Sequence, residues 1–144
     1  MIVPDANLLL YAVDSTSPFH DVAREWWTSC LDGAVPVGLC HPVVFAFARI
    51  STSRRAFRHP LSLAQVTAVI QSWSDRQVTR VLYPGPRHVH NVLELLSAAG
   101  SHGGNLVTDA QIAELAIAHR AEVHTADRDF QRFPGMKCRF PLVT

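Results

Sequence analysis

The chain has 144 residues, 48% of them apolar, which is enough for one hydrophobic core and too short for two domains of ordinary size. Thirteen basic side chains against 12 acidic ones leave a net charge of +1, so no bulk field draws the protein to nucleic acid and any such binding must come from a local patch. Cys30, Cys40 and Cys138 are widely spaced, with no CxxC pair and no zinc-finger spacing, and read as reduced core thiols.

In chain order, residues 1–3 form a short buried strand that ends at once on Pro4 and Asp5. The opening MIVPD lacks a charged segment followed by a long apolar one, and no apolar run approaches the roughly 18 residues of a membrane span. The expectation is one cytoplasmic domain over residues 1–144, with no membrane contact. Residues 7–13 (NLLLYAV) are a short buried helix, broken by Ser15, Thr16, Ser17 and Pro18. A second helix spans about 20–31, with Trp26 and Trp27 as core anchors and Gly33 as its stop. Residues 35–40 are the second strand. Pro42 then suits the first turn of a helix through Ile50, whose apolar residues all round imply burial.

From 51 to 60 the chain turns polar and basic, Arg54, Arg55, Arg58 and His59 following Arg49. The stretch is either a solvated loop or a set of guanidinium groups that contact phosphates without reading sequence. Ser62 caps a helix with Leu63, Val66, Val69, Ile70 and Trp73 at core spacing. Residues 78–83 are a strand, Pro84, Gly85 and Pro86 punctuate it, and a helix over about 88–99 turns Val89, Val92, Leu93 and Leu96 inward. Residues 101–104 (SHGG) are a plain loop, since no Lys-Ser or Lys-Thr pair follows to make a phosphate loop.

Residues 105–130 organise the rest. Residues 105–108 read as a strand, Ile112, Leu115, Ala116 and His119 then recur at helical spacing, and 122–125 read as another strand. Such an alternation implies a parallel βαβ crossover, and in parallel sheets ligands bind outside the carboxyl ends of the strands. Asp109 and Asp127 then share one edge with Asp5, and Asp129 lies two residues further on. The tail, 133–144, with Pro134 and Pro141, is expected to cap the domain irregularly.

The aspartates are the chemical signal. Taken singly, Asp109 caps the helix that follows it, and Asp127 or Asp129 closes an Asx-turn. Brought together at three strand ends they repel, and a divalent cation is the simplest relief. Oxygen donors without thiolates suit Mg2+ or Mn2+, which supports hydrolysis of a phosphodiester. Asn7, Thr108 and Thr125 sit beside the acids, where they position water or phosphate or else bond local backbone. The eight histidines form no HExxH, and His88 and His90, two apart on a helix, face away from each other, so a histidine metal centre is not expected. His20 and His41 lie nearest to element ends.

VPDANLLLYAVD, HDVAREWW, FARIST, NLVTDAQIAELAIAHRAEV and TADRDFQRFPG together resemble the PIN domain family, in particular the VapC-type ribonuclease toxins of toxin–antitoxin pairs. The resemblance covers nearly the whole chain. It implies an α/β fold with a parallel sheet of about five strands and helices on both faces. It also implies Mg2+- or Mn2+-dependent cleavage of structured RNA, frequent homodimers, and a cognate antitoxin that blocks the site. By position Asp5 resembles the first metal acid, Asp109 the third, and Asp127 with Asp129 the final pair. Asp5, Asp109 and Asp127 are therefore the expected metal ligands, with Asp129 completing the shell or acting as base. Asn7, Thr108, Thr125, Arg49, Arg54 and Arg55 are the expected substrate contacts.

One departure stands out. Many members carry a glutamate shortly before the arginine matched by Arg49, and here that position falls on Ala46 or Phe47. The loss leaves a second reading open, a PIN-like module that binds RNA or protein with little turnover. A phosphatase using Asp5 as nucleophile needs an aspartate where Asn7 stands and a lysine late in the site, whereas the only lysine, Lys137, lies in the tail.

Overall fold

The computed structural model describes residues 1–100 and 103–143. Five strands, β1 (Ile2–Pro4), β2 (Val37–Cys40), β3 (Thr79–Leu82), β4 (Glu122–His124) and β5 (Lys137–Arg139), form one parallel sheet in the order β3-β2-β1-β4-β5. Six helices surround it: α1 (Ala6–Val13), α2 (His20–Asp32), α3 (His41–Ser51), α4 (Leu63–Ser74), α5 (His88–Ala98) and α6 (Leu106–Ala118). All four residues of β2 are buried although successive side chains point to opposite faces, so both faces of the sheet are covered there. Gly38 of β2 is required by this closeness: a Cβ would stand 2.7 Å from Leu82 Cδ1.

The core takes Val3 and Val123 from the sheet, Leu8 and Leu9 from α1, Phe47 from α3, Ile112 and Leu115 from α6, and Phe130. Trp27 and Trp73 meet edge to face at 5.5 Å, and both are buried, as expected of an anchor. Ser62 caps α4 as predicted, within a reciprocal capping box with Gln65.

Three expectations fail on the fold. Residues 105–108 are not a strand. Gly103 and Gly104, at φ 96° and 64°, turn the chain straight into α6, whose first turn contains the apolar residues read as extended. The fifth place in the sheet belongs instead to the tail, where Lys137 pairs with Glu122 and Arg139 with His124. An edge strand of charged and half-buried residues has no apolar alternation to announce it. The inward faces of the helices are also narrower than predicted: Phe45 is 68% exposed, Leu63 74%, Val89 72% and Leu93 60%. On α5 it is Val92 and Leu96 that point inward. Of the loop expected over 101–104, Ser101 and His102 lie outside the described residues.

Candidate active site

β1 and β4 are neighbours, with Pro4 opposite His124, so the residues that follow them leave the sheet side by side. Asp5 caps α1 with its own side chain, Oδ1 accepting the Ala6 N–H at 2.7 Å. Its Oδ2 accepts the Thr125 hydroxyl at 2.7 Å. The same hydroxyl oxygen accepts the Asp127 N–H at 2.9 Å and the Asn7 amide at 3.5 Å, while Asn7 Oδ1 accepts the Ala126 N–H at 3.4 Å. Asp127 in turn caps a short 3-10 helix, Arg128–Arg132, by accepting the Asp129 N–H at 2.9 Å. Asp109 arrives from the other direction, in the first turn of α6 rather than at a strand end.

Asp109 feels the other three carboxylates. Burial, then the charges of Asp5, Asp127 and Asp129, push Asp109 up to about 7. Asp5 is also raised, chiefly by burial and secondarily by Asp127, against the lowering effect of its bonds from Thr125 and Ala6. Among the described residues, the charges that shift Asp109 are all acidic. Among the described residues no three metal-ligating side chains are already drawn into a coordinating group. The donor set is nonetheless one of hard oxygens under mutual repulsion, which fits an ion that keeps much of its water shell.

Thr125 corrects the sequence reading. It is fully buried, and its hydroxyl is committed to Asp5, Asp127 and Asn7, so it holds the acids instead of facing a substrate. Thr108 is exposed beside Asp109, and with Arg49 and Ala46 it lines a hollow. Arg54 and Arg55 are exposed in the turn after α3 and make no ion pair among the described residues. Glu114 does not replace the absent glutamate. It is buried against α5, with its Oε2 bonded to His88 Nδ1 and its Oε1 accepting from Asn91 at 3.4 Å. Spacing alone hides that arrangement, because it depends on the packing of α5 on α6. His20 bonds the Tyr11 carbonyl through Nδ1 at 2.9 Å. The cysteines are free, and burial pushes the Cys30 and Cys40 thiols up to about 11. Lys137 opens β5 at the amino end of the sheet, opposite the acids, which removes the lysine a phosphatase would need.

The family model of the PIN domain matches residues 2–136. The chain belongs to the PIN domain family. Within it the chain is similar to VapC proteins: it is 41% identical over 142 residues to Ribonuclease VapC33 of Mycobacterium tuberculosis, covering 99% of each chain. To Ribonuclease VapC37 of the same organism it is 36% identical over 137 residues, covering 95% of this chain and 94% of the relative. The PIN fold is shared with more distant solved structures. The crystal structure of Mycobacterium tuberculosis VapC20, a Sarcin-Ricin loop cleaving toxin, superposes with a TM-score of 0.69 at 15% identity over 95% of this chain and 99% of that one. VapBC2 from Rickettsia felis, bound to a DNA fragment from its promoter, does so with a TM-score of 0.67 at 19% identity over 96% and 98%. No helix among the described residues of this PIN protein is long and apolar enough to cross a membrane.

Proposed function

We propose that the protein is a divalent-metal-dependent endoribonuclease, the toxin of a VapBC-type toxin–antitoxin pair. The observation that carries this is the convergence of acids from separate elements: Asp5 and the Asp127 backbone meet on the Thr125 hydroxyl, and Asp5, Asp127 and Asp129 lie near enough to Asp109 to raise it together with burial. Relatives named ribonucleases over nearly their full length support the choice of RNA. Asp5, Asp109 and Asp127 would hold Mg2+ or Mn2+, which when bound neutralises their repulsion and supplies Lewis-acid activation of water and phosphate. Asp129, exposed at the rim, accepts the proton of the attacking water or completes the ligand set. Thr125 fixes Asp5 and the Asp127 backbone to one another, and Thr108 orients a phosphate oxygen at the mouth. Hydrolysis adds water at phosphorus and expels the ribose oxygen with a proton.

A cognate antitoxin is the expected partner, since the superposed structures include VapBC and FitAB complexes. A second copy is the other expected partner, through the exposed Val89 and Leu93 of α5. Leu93→Glu should then give a monomer in sedimentation, and an unchanged mass removes α5 from the interface. The cytoplasm is the expected compartment, consistent with free cysteines.

The test is a Mg2+ and Mn2+ titration of the protein and of Asp109→Asn, followed by cleavage-site mapping on total RNA. Specific cuts that require the metal and vanish in the variant are expected. Cuts that persist in the variant, or in chelator, overturn the assignment. Ala46 or Phe47 in place of the family's glutamate favours the second reading, a binding module, if metal and RNA bind and nothing is cut.

A further inference from the structure

Two hollows open side by side where α3 meets α6. The nearer, about 390 Å³, lies between Pro42, Phe45, Ala46 and Arg49 of α3 and Thr108 and Gln111 of α6, so it begins beside Asp109. The farther, about 320 Å³, shares Pro42, Phe45 and Gln111 with it and runs on to His41 and His88. Joined through these shared walls, they form one groove leading away from the acids. No Asp or Glu lines it. By contrast, the hollow between α5 and α6 carries Glu94 and Glu114, and the one along α2 carries Asp21, Glu25 and Asp32.

Ala46 helps to keep the groove free of carboxylates, since a glutamate there would stand in the wall facing Thr108 and Gln111. Arg49 is exposed at the near end and makes no ion pair among the described residues. Beyond it stand three rings. His41 lies 6.1 Å from Phe45, inclined by 31°, and 5.5 Å from Tyr83, nearly edge-on at 75°. Phe45 is 68% exposed and Tyr83 65%, so both present ring surface to solvent.

We propose that this groove carries the substrate strand away from the cut, with Arg49 on a phosphate and Phe45, His41 and Tyr83 stacking unpaired bases. The inference rests on the nuclease reading and specifies its substrate: RNA whose bases are splayed out beside the scissile bond. A guanidinium contacts phosphate without reading sequence, whereas aromatic and imidazole rings receive bases that have left their stack. An acid-free wall admits a polyanion, which Glu94 and Glu114 in the hollow between α5 and α6 would oppose.

The test uses a short single-stranded oligoribonucleotide with 2-aminopurine placed beside the mapped cleavage site, in chelator so that it stays intact. Binding to the wild-type protein should quench the fluorophore. Phe45→Ala and Tyr83→Ala should lose the quench and bind about five- to 140-fold more weakly, the span of one stacked base. Phe45→Trp should restore both, and Ala46→Glu should weaken binding in the absence of metal. Variants that bind, quench and cleave as the wild type does overturn the groove and leave the nuclease standing. Variants that become monomeric while keeping wild-type RNA affinity also overturn it, and make the rings a self-association surface. RNA bound by none of the proteins overturns both readings.

Discussion

The Thr125 hydroxyl donates to Asp5 Oδ2 at 2.7 Å across 120 residues of sequence, tying the first strand's acid to the last acidic loop. Thr125→Val removes that donor and leaves a buried carboxylate short of one bond. We expect a loss of about 1.5–3 kcal/mol in denaturant unfolding, the usual range for a bond to a charged group. Cleavage should fall at least tenfold, and Thr125→Ser should recover most of both. A Val variant that cleaves normally would remove Thr125 from the site.

Asp109 makes the metal-free protein sensitive to alkali. Its folded pKa, about 7, lies above the unfolded value of 3.8, so the folded state binds its proton more tightly. The associated stability is fully present below about pH 4 and is lost as pH rises towards and through 7. Asp109→Asn should therefore be more stable than the wild type at pH 8 in chelator, by about 1–2 kcal/mol after allowance for solvent screening of a half-buried group. The two should converge near pH 4. Urea titrations at both pH values decide it, and added Mn2+ should stabilise the wild type alone.

His124 acts in the opposite sense. Trp26 Nε1–H donates to its Nδ1 at 3.1 Å, which leaves Nε2–H to donate to Glu122 at 2.9 Å and fixes one neutral tautomer. Burial lowers its folded pKa below 6.5, opposed by Glu122. The stability linked to it is present above pH 6.5 and is lost as pH falls through the lower, folded value. In an Asp5→Asn, Asp109→Asn background, where both raised carboxyls are gone, melting temperature should fall on acidification below pH 6.5. A flat profile there would argue against a buried neutral imidazole.

Glu114 is expected to matter to the fold and not to the metal. Glu114→Ala leaves His88 and Asn91 without their shared acceptor and should cost about 1–3 kcal/mol, the range for leaving a buried donor unsatisfied. Calorimetric Mn2+ affinity of the folded variant should match the wild type. A tenfold weaker ion would instead make Glu114 part of the metal site.

Arg54 and Arg55 test the basic turn. Reversing both to Glu should weaken RNA binding and flatten its dependence on salt, because each phosphate contact releases counterions. Unchanged slopes would leave the turn as a solvated loop.

The acids were legible in the sequence because each follows or opens an element, and an aspartate at such a position is visible without coordinates. What the spacing could not settle was which element. The four residues 105–108 are too few to separate a strand from a first helical turn, so Asp109 was placed at a strand end although a helix delivers it. β5 was invisible because its pairing is made by backbone, with Lys137 and Arg139 facing outward. Phe45 of the α3 groove escapes the sequence for a different reason. Apolar periodicity marks a helix without saying how much of its circumference the core covers, and Phe45 lies outside that arc.

Strand β1 is first in the chain and central in the sheet, paired to β2 on one side and to β4 on the other. The pairing of β1 with β4 joins the most distant parts of the chain, and the same contact places Asp5 beside Thr125 and Asp127. A folding intermediate holding only the near-neighbour strands β1, β2 and β3 has one of the four acids, Asp5, and no hydroxyl to fix it. The acid cluster is therefore completed only by the strand pairing with the greatest loop-closure cost, so under the proposed function cleavage would come last in folding.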